Sequence, residues 1–208
     1  MIDSDCQLYL ISPLDCGGDF ADRLERALDA GPVAAFQLRM KDCLEDEVIA
    51  AAERLMPVCA AHDCAFILND SAKLAQRIGA DGVHLGRDDG SIAEARRLLG
   101  PSGQIGASCH DSRHYAMEAG EAGADYVAFG AFYPTTTKET AHRPEPEILT
   151  WWSDMFVLPC VAIGGITADN AAPLIEAGAD FLAVSSGVWA HPDGEAVAIR
   201  AFAEYLGK

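Results

Sequence analysis

Eight short apolar runs punctuate the chain, and nearly all of them end in a polar or charged cluster. The runs cover residues 7–12, 34–38, 65–68, 82–85, 104–108, 126–129, 160–163 and 181–184. At or just beyond their C-terminal ends stand Gln37, Arg39 and Lys41; Asn69 and Asp70; His84 through Asp89; Ser108, Cys109 and His110; residues 134–138; Gly164 and Gly165; and Ser185 and Ser186. Runs this short, rich in branched and aromatic side chains, suit strands buried on both faces. Helical periodicity fills the intervals 19–30, 45–62, 71–78, 91–99, 112–120, 145–154, 170–177 and 195–205. In the first interval Phe20, Leu24 and Leu28 share a face; in the second, Val48, Ala52, Leu55 and Cys59 recur at helical spacing. Eight strands alternating with eight helices predict an α/β fold, a single-domain (β/α)8 TIM barrel over residues 1–208 with its active site at the C-terminal strand ends. A doubly wound open sheet is the alternative.

A local repeat reinforces the alternation. Gly79-Ala80-Asp81, Gly123-Ala124-Asp125 and Gly178-Ala179-Asp180 each separate a helical pattern from a strand. Glycine closes a helix in the left-handed conformation without steric cost. At 208 residues the chain is short for eight units, and its brief connections leave no room for a second domain.

Composition narrows the functional classes. The net charge of −17 repels nucleic acid. Charged residues interrupt every apolar stretch before it reaches membrane-spanning length, which argues against a membrane role. The acidic start, Asp3 and Asp5, argues against a secretory signal. Seven irregularly spaced cysteines without a Cys-x-x-Cys pair read as buried thiols of a cytoplasmic protein.

Several strand ends carry candidate chemistry. Gln37, Arg39 and Lys41 alternate, so they share one side of an extended chain, where two cations and an amide suit a diphosphate and a heterocycle. Asp70 and Asp89 end adjacent strands and suit Mg2+, which takes one or two carboxylates plus substrate phosphates; helix N-capping accounts equally for acidic residues there. Thr135, Thr136, Thr137 and Lys138 form a plausible oxyanion cradle. Gly165, Ser185 and Ser186 end the last two strands, where barrels often bind phosphate, although turn formation uses the same residues. His84, inside a strand, reads as a satisfied core residue. His110, at a strand end, suits an acid, a base or a supporting hydrogen-bond partner.

Taken in order, residues 37–41, 67–70, 80–89, 105–110, 124–138, 160–167 and 183–187 resemble the thiamine-phosphate synthase family over nearly the whole chain. The resemblance implies a (β/α)8 barrel that joins hydroxymethylpyrimidine diphosphate to a thiazole phosphate in a Mg2+-dependent, dissociative substitution. It implies that Gln37, Arg39, Lys41, Asn69 and Lys138 hold the pyrimidine diphosphate and that Ser108 contacts the pyrimidine substrate or the released diphosphate. Arg39, Lys41, Ser108 and Lys138 would serve the catalytic step. Asp70 and Asp89 would hold the metal, and Thr135, Thr136, Thr137, Gly165, Ser185 and Ser186 the thiazole phosphate. The small phosphorylated substrates are the expected partners; no oligomeric state is implied.

This sequence departs from the family pattern at Arg87, where glutamine is usual, at Ser71, where Asp or Arg is usual, and after Lys138, where a glycine is missing. Arg87 is expected to pair with diphosphate oxygens in preference to Asp88 or Asp89. A thiazole tautomerase using a histidine such as His110, and a barrel that binds thiamine intermediates without catalysis, are the competing readings.

Overall fold

The computed structural model describes residues 5–135 and 143–206. Its eight strands are β1 (Gln7–Ile11), β2 (Ala35–Leu38), β3 (Ala65–Asn69), β4 (Gly82–Leu85), β5 (Gln104–His110), β6 (Tyr126–Gly130), β7 (Cys160–Ile163) and β8 (Phe181–Val184). They pair in parallel and in sequence order, and β8 returns to β1 to close the barrel. The expected strands match these to within two residues at either end. The helices are α1 (Phe20–Asp29), α2 (Glu45–Ala61), α3 (Ala72–Ile78), α4 (Ile92–Leu99), α5 (Arg113–Glu121), α6 (Glu147–Met155), α7 (Ala168–Glu176), α8 (Ser186–Trp189) and α9 (Glu195–Ala203). The fold is therefore the (β/α)8 TIM barrel, not the open sheet. The sequence reading missed only the one-turn helix α8, which it took as the polar end of the eighth strand.

Alternation within each strand divides the core in two. Leu8, Leu10, Phe36, Leu38, Phe66, Leu68, Val83, Leu85 and Phe129 face outward and pack with the helices. Tyr9, Ile11, Ile67, Tyr126, Ala128, Val161 and Ala183 fill the barrel interior. Two tyrosines fit there only because their neighbours are small. A Cβ on Gly106 would stand 2.0 Å from Tyr126 Cζ, so glycine at 106 is what admits the ring.

The three-residue repeat has a second role at the N-terminal end of the barrel. Asp81 Oδ2 accepts from Phe66 N, Asp125 Oδ2 from Ile105 N and Asp180 Oδ2 from Cys160 N, each at 2.7 Å. The same three aspartates donate their own backbone N–H groups to Phe66, Ile105 and Cys160 carbonyls. Each carboxylate thus clamps the start of β3, β5 or β7 to the strand that follows it. Closure of the helical ring is also polar: Glu195 on α9 accepts from Arg26 at 2.8 Å and from Arg23 at 3.5 Å on α1.

Candidate active site

At the C-terminal strand ends the chain forms a cavity of about 110 Å³. Arg39, Ser108, His110, Thr135, Gly165, Ser185 and Ser186 line it, over an apolar floor that includes Ile11, Ala128, Ile163 and Ala183. The rim is fixed by side-chain to backbone bonds between strand ends. Ser12, which is buried, accepts from Arg39 N at 2.9 Å through Oγ and donates to Arg39 O at 3.3 Å. Ser185 Oγ donates to Ser12 O at 3.3 Å, and Trp189 Nε1 to Ile11 O at 2.7 Å. The ends of β1, β2 and β8 are thereby stitched together around Arg39. Arg39 Nη1 is buried and lacks a hydrogen-bond partner among the described residues. A buried guanidinium donor left unpaired is costly, and an anion in the cavity removes that cost.

Gly165 forms the wall opposite. Its φ is +64°, and a Cβ there would approach Pro134 O to 2.4 Å. Both the left-handed backbone and the close packing of the β6–α6 loop demand glycine.

Beside this cavity, Asp70 and Asp89 line a second one of about 220 Å³. Asp70 closes β3 in the left-handed region, with φ +70°. Its carboxylate accepts from Asn69 Nδ2 at 2.6 Å and pairs with Lys41 Nζ. Asp89 Oδ2 accepts from Gly86 N at 2.8 Å. Burial first, opposed by Lys41 and then reinforced by the adjacent Asp89 carboxylate, holds the Asp70 carboxyl above its ordinary range. Two carboxylates at close quarters resist joint ionisation unless a cation intervenes. Among the described residues no group of three or more His, Cys, Asp and Glu side chains gathers as a metal site. Asp70 and Asp89 are nonetheless a sufficient protein contribution for a hard divalent ion that draws its other ligands from water and phosphate.

Under the cavity runs a chain of buried polar groups. Gln37 Nε2 donates to Tyr9 Oη at 2.9 Å, Tyr9 Oη and Tyr126 Oη lie 2.8 Å apart, and Tyr126 Oη is 3.1 Å from His84 Nδ1. His84 Nε2 lies 2.8 Å from Ser108 Oγ. His84 is the satisfied core residue the sequence suggested. The participation of Tyr9, Tyr126 and Ser12 was missed, although tyrosine at an inward strand position carries a signal: a buried phenol tip needs a partner.

A family model described as thiamine monophosphate synthase matches residues 8–188. The chain belongs to this family. It is 61% identical over 204 residues to the thiamine-phosphate synthase of Erythrobacter litoralis (strain HTCC2594), covering 96% of this chain and 95% of the relative. Identity to the thiamine-phosphate synthase of Rhodospirillum centenum (strain ATCC 51521 / SW) is 56% over 200 residues, covering 96% and 97%. Among solved structures, the thiamine phosphate pyrophosphorylase of Pyrococcus furiosus superposes with a TM-score of 0.84 at 30% identity, covering 99% of this chain and 97% of that one. Thiamine monophosphate synthase family membership makes the chain a transferase of thiamine biosynthesis.

Two departures from the family pattern now have structural settings. Ser71 caps α3, accepting from Leu74 N at 3.2 Å. Arg87 lies over the ring of Tyr115, its Cζ 5.2 Å from the centroid, and pairs with neither Asp88 nor Asp89 among the described residues. Thr136, Thr137 and Lys138 lie outside the described residues. His110 lines the cavity with φ +55°, a left-handed conformation unusual for a non-glycine residue. No described helix is long and apolar enough to cross a membrane.

Proposed function

We propose that this chain joins hydroxymethylpyrimidine diphosphate to a thiazole phosphate, releasing diphosphate and thiamine phosphate. The observation that carries the reading is at the strand ends: Arg39, whose buried Nη1 has no hydrogen-bond partner among the described residues, lines one cavity, and the Asp70–Asp89 pair lines a second. A cation and a carboxylate pair side by side suit a diphosphate chelated to a divalent ion, and little else in a chain of charge −17 would draw an anion inward.

In this reading Asp70 and Asp89 hold Mg2+, which supplies charge neutralisation on the departing diphosphate. Asn69 orients Asp70 through its amide. Lys41 is paired with Asp70, and would be free to bind the diphosphate were the carboxylates to hold the ion. Arg39 binds the same group from the cavity side. The C–O bond between the pyrimidine methylene and the diphosphate breaks with its electron pair leaving on oxygen, and the aminopyrimidine ring delocalises the resulting cation. The thiazole nitrogen then closes the C–N bond. Thr135, Gly165, Ser185 and Ser186 hold the thiazole phosphate opposite, where glycine lets the backbone come close. On the resemblance alone, Thr136 and Thr137 are assigned to the same work and Lys138 to the pyrimidine diphosphate and the catalytic step. No protein nucleophile is needed, so stabilisation of developing charge and alignment of the two substrates supply the catalysis.

Seven free cysteines, six of them buried, suit a reducing compartment, and we place the enzyme in the cytoplasm. The test of function is direct. Purified protein is mixed with both phosphates, with Mg2+ or with a chelator, and thiamine phosphate and diphosphate are quantified. Equimolar products that disappear with chelator are expected. Rearrangement of a thiazole tautomer without coupling, or binding without turnover, would replace this reading.

A further inference from the structure

The buried chain beneath the cavity has a direction, and that direction ends at substrate. Gln37 enters it as a donor, because its amide nitrogen cannot accept. Tyr9 Oη receives that bond inside a fully packed interior, and its own proton needs an acceptor. Tyr126 Oη, 2.8 Å away, is the acceptor within reach. With Tyr9 donating to it, Tyr126 is left to give its proton to His84 Nδ1, at 3.1 Å. The reverse order would strand the buried Tyr9 proton. His84 Nδ1 therefore accepts, which leaves Nε2 to carry the hydrogen of the neutral ring. Nε2 then donates to Ser108 Oγ at 2.8 Å.

We propose that His84 is a positioning residue: its tautomer, set by Tyr126, makes Ser108 an acceptor toward the core and so turns the Ser108 proton into the cavity. Ser108 is thereby a fixed donor, selecting a substrate atom with a free lone pair, a diphosphate oxygen or a ring nitrogen of the pyrimidine. A hydroxyl on its own rotates between donor and acceptor roles, and a histidine that donates to it removes that freedom before substrate arrives. Burial supports the arrangement: it raises the Tyr126 phenol well above its ordinary range, so Tyr126 stays a proton donor. The packing agrees as well. His84 stacks on Tyr126 at 5.6 Å between centroids, and Tyr126 meets Tyr9 edge-on at 5.9 Å, so the rings hold each other in register. The identity of the selected atom rests on the coupling reading above; the tautomer does not.

The tautomer is read by nitrogen NMR of the full chain labelled with 15N-histidine, with His84→Gln used to assign the signal. A neutral ring protonated at Nε2 is expected in the free protein near pH 7. A ring protonated at Nδ1, or at both nitrogens, overturns the proposal whether or not the protein couples its substrates. If the Nε2–H form is found but no thiamine phosphate is made, the coupling reading fails while the fixed donor stands. Function is tested through Tyr126→Phe, which removes the proton that fixes His84 without touching the cavity. It is expected to mix the two tautomers and to lower kcat about 3- to 10-fold, the effect of one neutral hydrogen bond. In a Ser108→Ala background the same change is expected to cost less than about 2-fold, because the group it acts through is gone. Equal losses in both backgrounds would show a role in packing alone and overturn the proposal. His84→Gln, which keeps one donor and one acceptor, is expected to retain more turnover than His84→Phe.

Discussion

The two ends of the barrel use aspartate in opposite ways. At the N-terminal end Asp81, Asp125 and Asp180 each spend a carboxylate oxygen on a backbone N–H at 2.7 Å, in ordinary backbone conformations that return the bond through their own N–H. At the C-terminal end Asp70 sits at φ +70°, beside a second carboxylate, with its carboxyl held above the ordinary range chiefly by burial. The first group satisfies the fold. The second is tolerated by it, and Arg39 Nη1, without a hydrogen-bond partner among the described residues, belongs with it. Two neighbouring carboxylates and a buried guanidinium donor without a partner among the described residues at one end, against carboxylates each bonded to backbone at the other, mark where a ligand completes the structure.

The comparison is tested most severely at the carboxylate pair. Asp89→Asn is expected to lower turnover by about 100-fold or more, since on the proposed function it removes half of the carboxylate charge that would hold the ion. Its melting temperature should stay near that of the parent. Full activity of this variant in chelator would remove the metal from the site. The pH dependence has a definite sign. Asp70 has a raised carboxyl pKa in the fold, so its contribution to stability is fully present at low pH and is lost as pH rises through the raised value. In the proposed function the ionised pair would hold Mg2+, so the rise in melting temperature on adding Mg2+ should grow with pH over the same interval. A Mg2+ effect independent of pH would contradict this.

Gly165→Val comes next in size. The strained φ and the contact with Pro134 O predict a displaced loop wall, not merely a crowded phosphate. The KM for thiazole phosphate is expected to rise about 10-fold or more, and that for pyrimidine diphosphate far less. Equal effects on the two would erase the division of the cavity. At the opposite end, Asp81→Ala should lower stability by about 1–3 kcal/mol, the cost of a buried N–H left unpaired. Measured by urea unfolding, that loss should come with turnover per folded molecule unchanged. Arg87→Gln should have the smallest effect. Arg87 rests on Tyr115 and not on the carboxylates, so Mg2+ affinity should change by less than about 2-fold and stability by no more than about 1 kcal/mol. A marked loss of diphosphate affinity would restore the role its sequence position suggested.

Much of the barrel was legible because its strands are buried on both faces, so apolar runs and polar ends appear in the sequence without ambiguity. Asp70, Asp89 and Arg39 could be picked out for the same reason: each breaks an apolar pattern at a strand end. The Gly-Ala-Asp repeat was visible, but only its glycine was read; the aspartate bonds to residues 15 to 20 positions earlier in the chain, across the sheet. The Tyr9–Tyr126 contact spans 117 positions and depends on which strands face one another inside the closed barrel, which no local pattern encodes. Helix α8 was hidden by its length, one turn entered through a serine that also reads as a turn. Arg87 stands two residues from Asp89 in the chain yet rests on the Tyr115 ring, because sequence proximity says nothing of the direction in which a long side chain leaves its loop.

The most direct measurement makes one chemical change at both ends. Asp70→Ala and Asp180→Ala are compared for melting temperature in the absence of metal at pH 7 and for thiamine phosphate formation well below the melting point. The expected result is a crossing. Asp70→Ala keeps or raises the melting temperature and loses nearly all turnover, whereas Asp180→Ala melts lower and turns over normally. Loss of stability and turnover together in both variants would contradict a division of the barrel into an end that holds the fold and an end that holds the substrates.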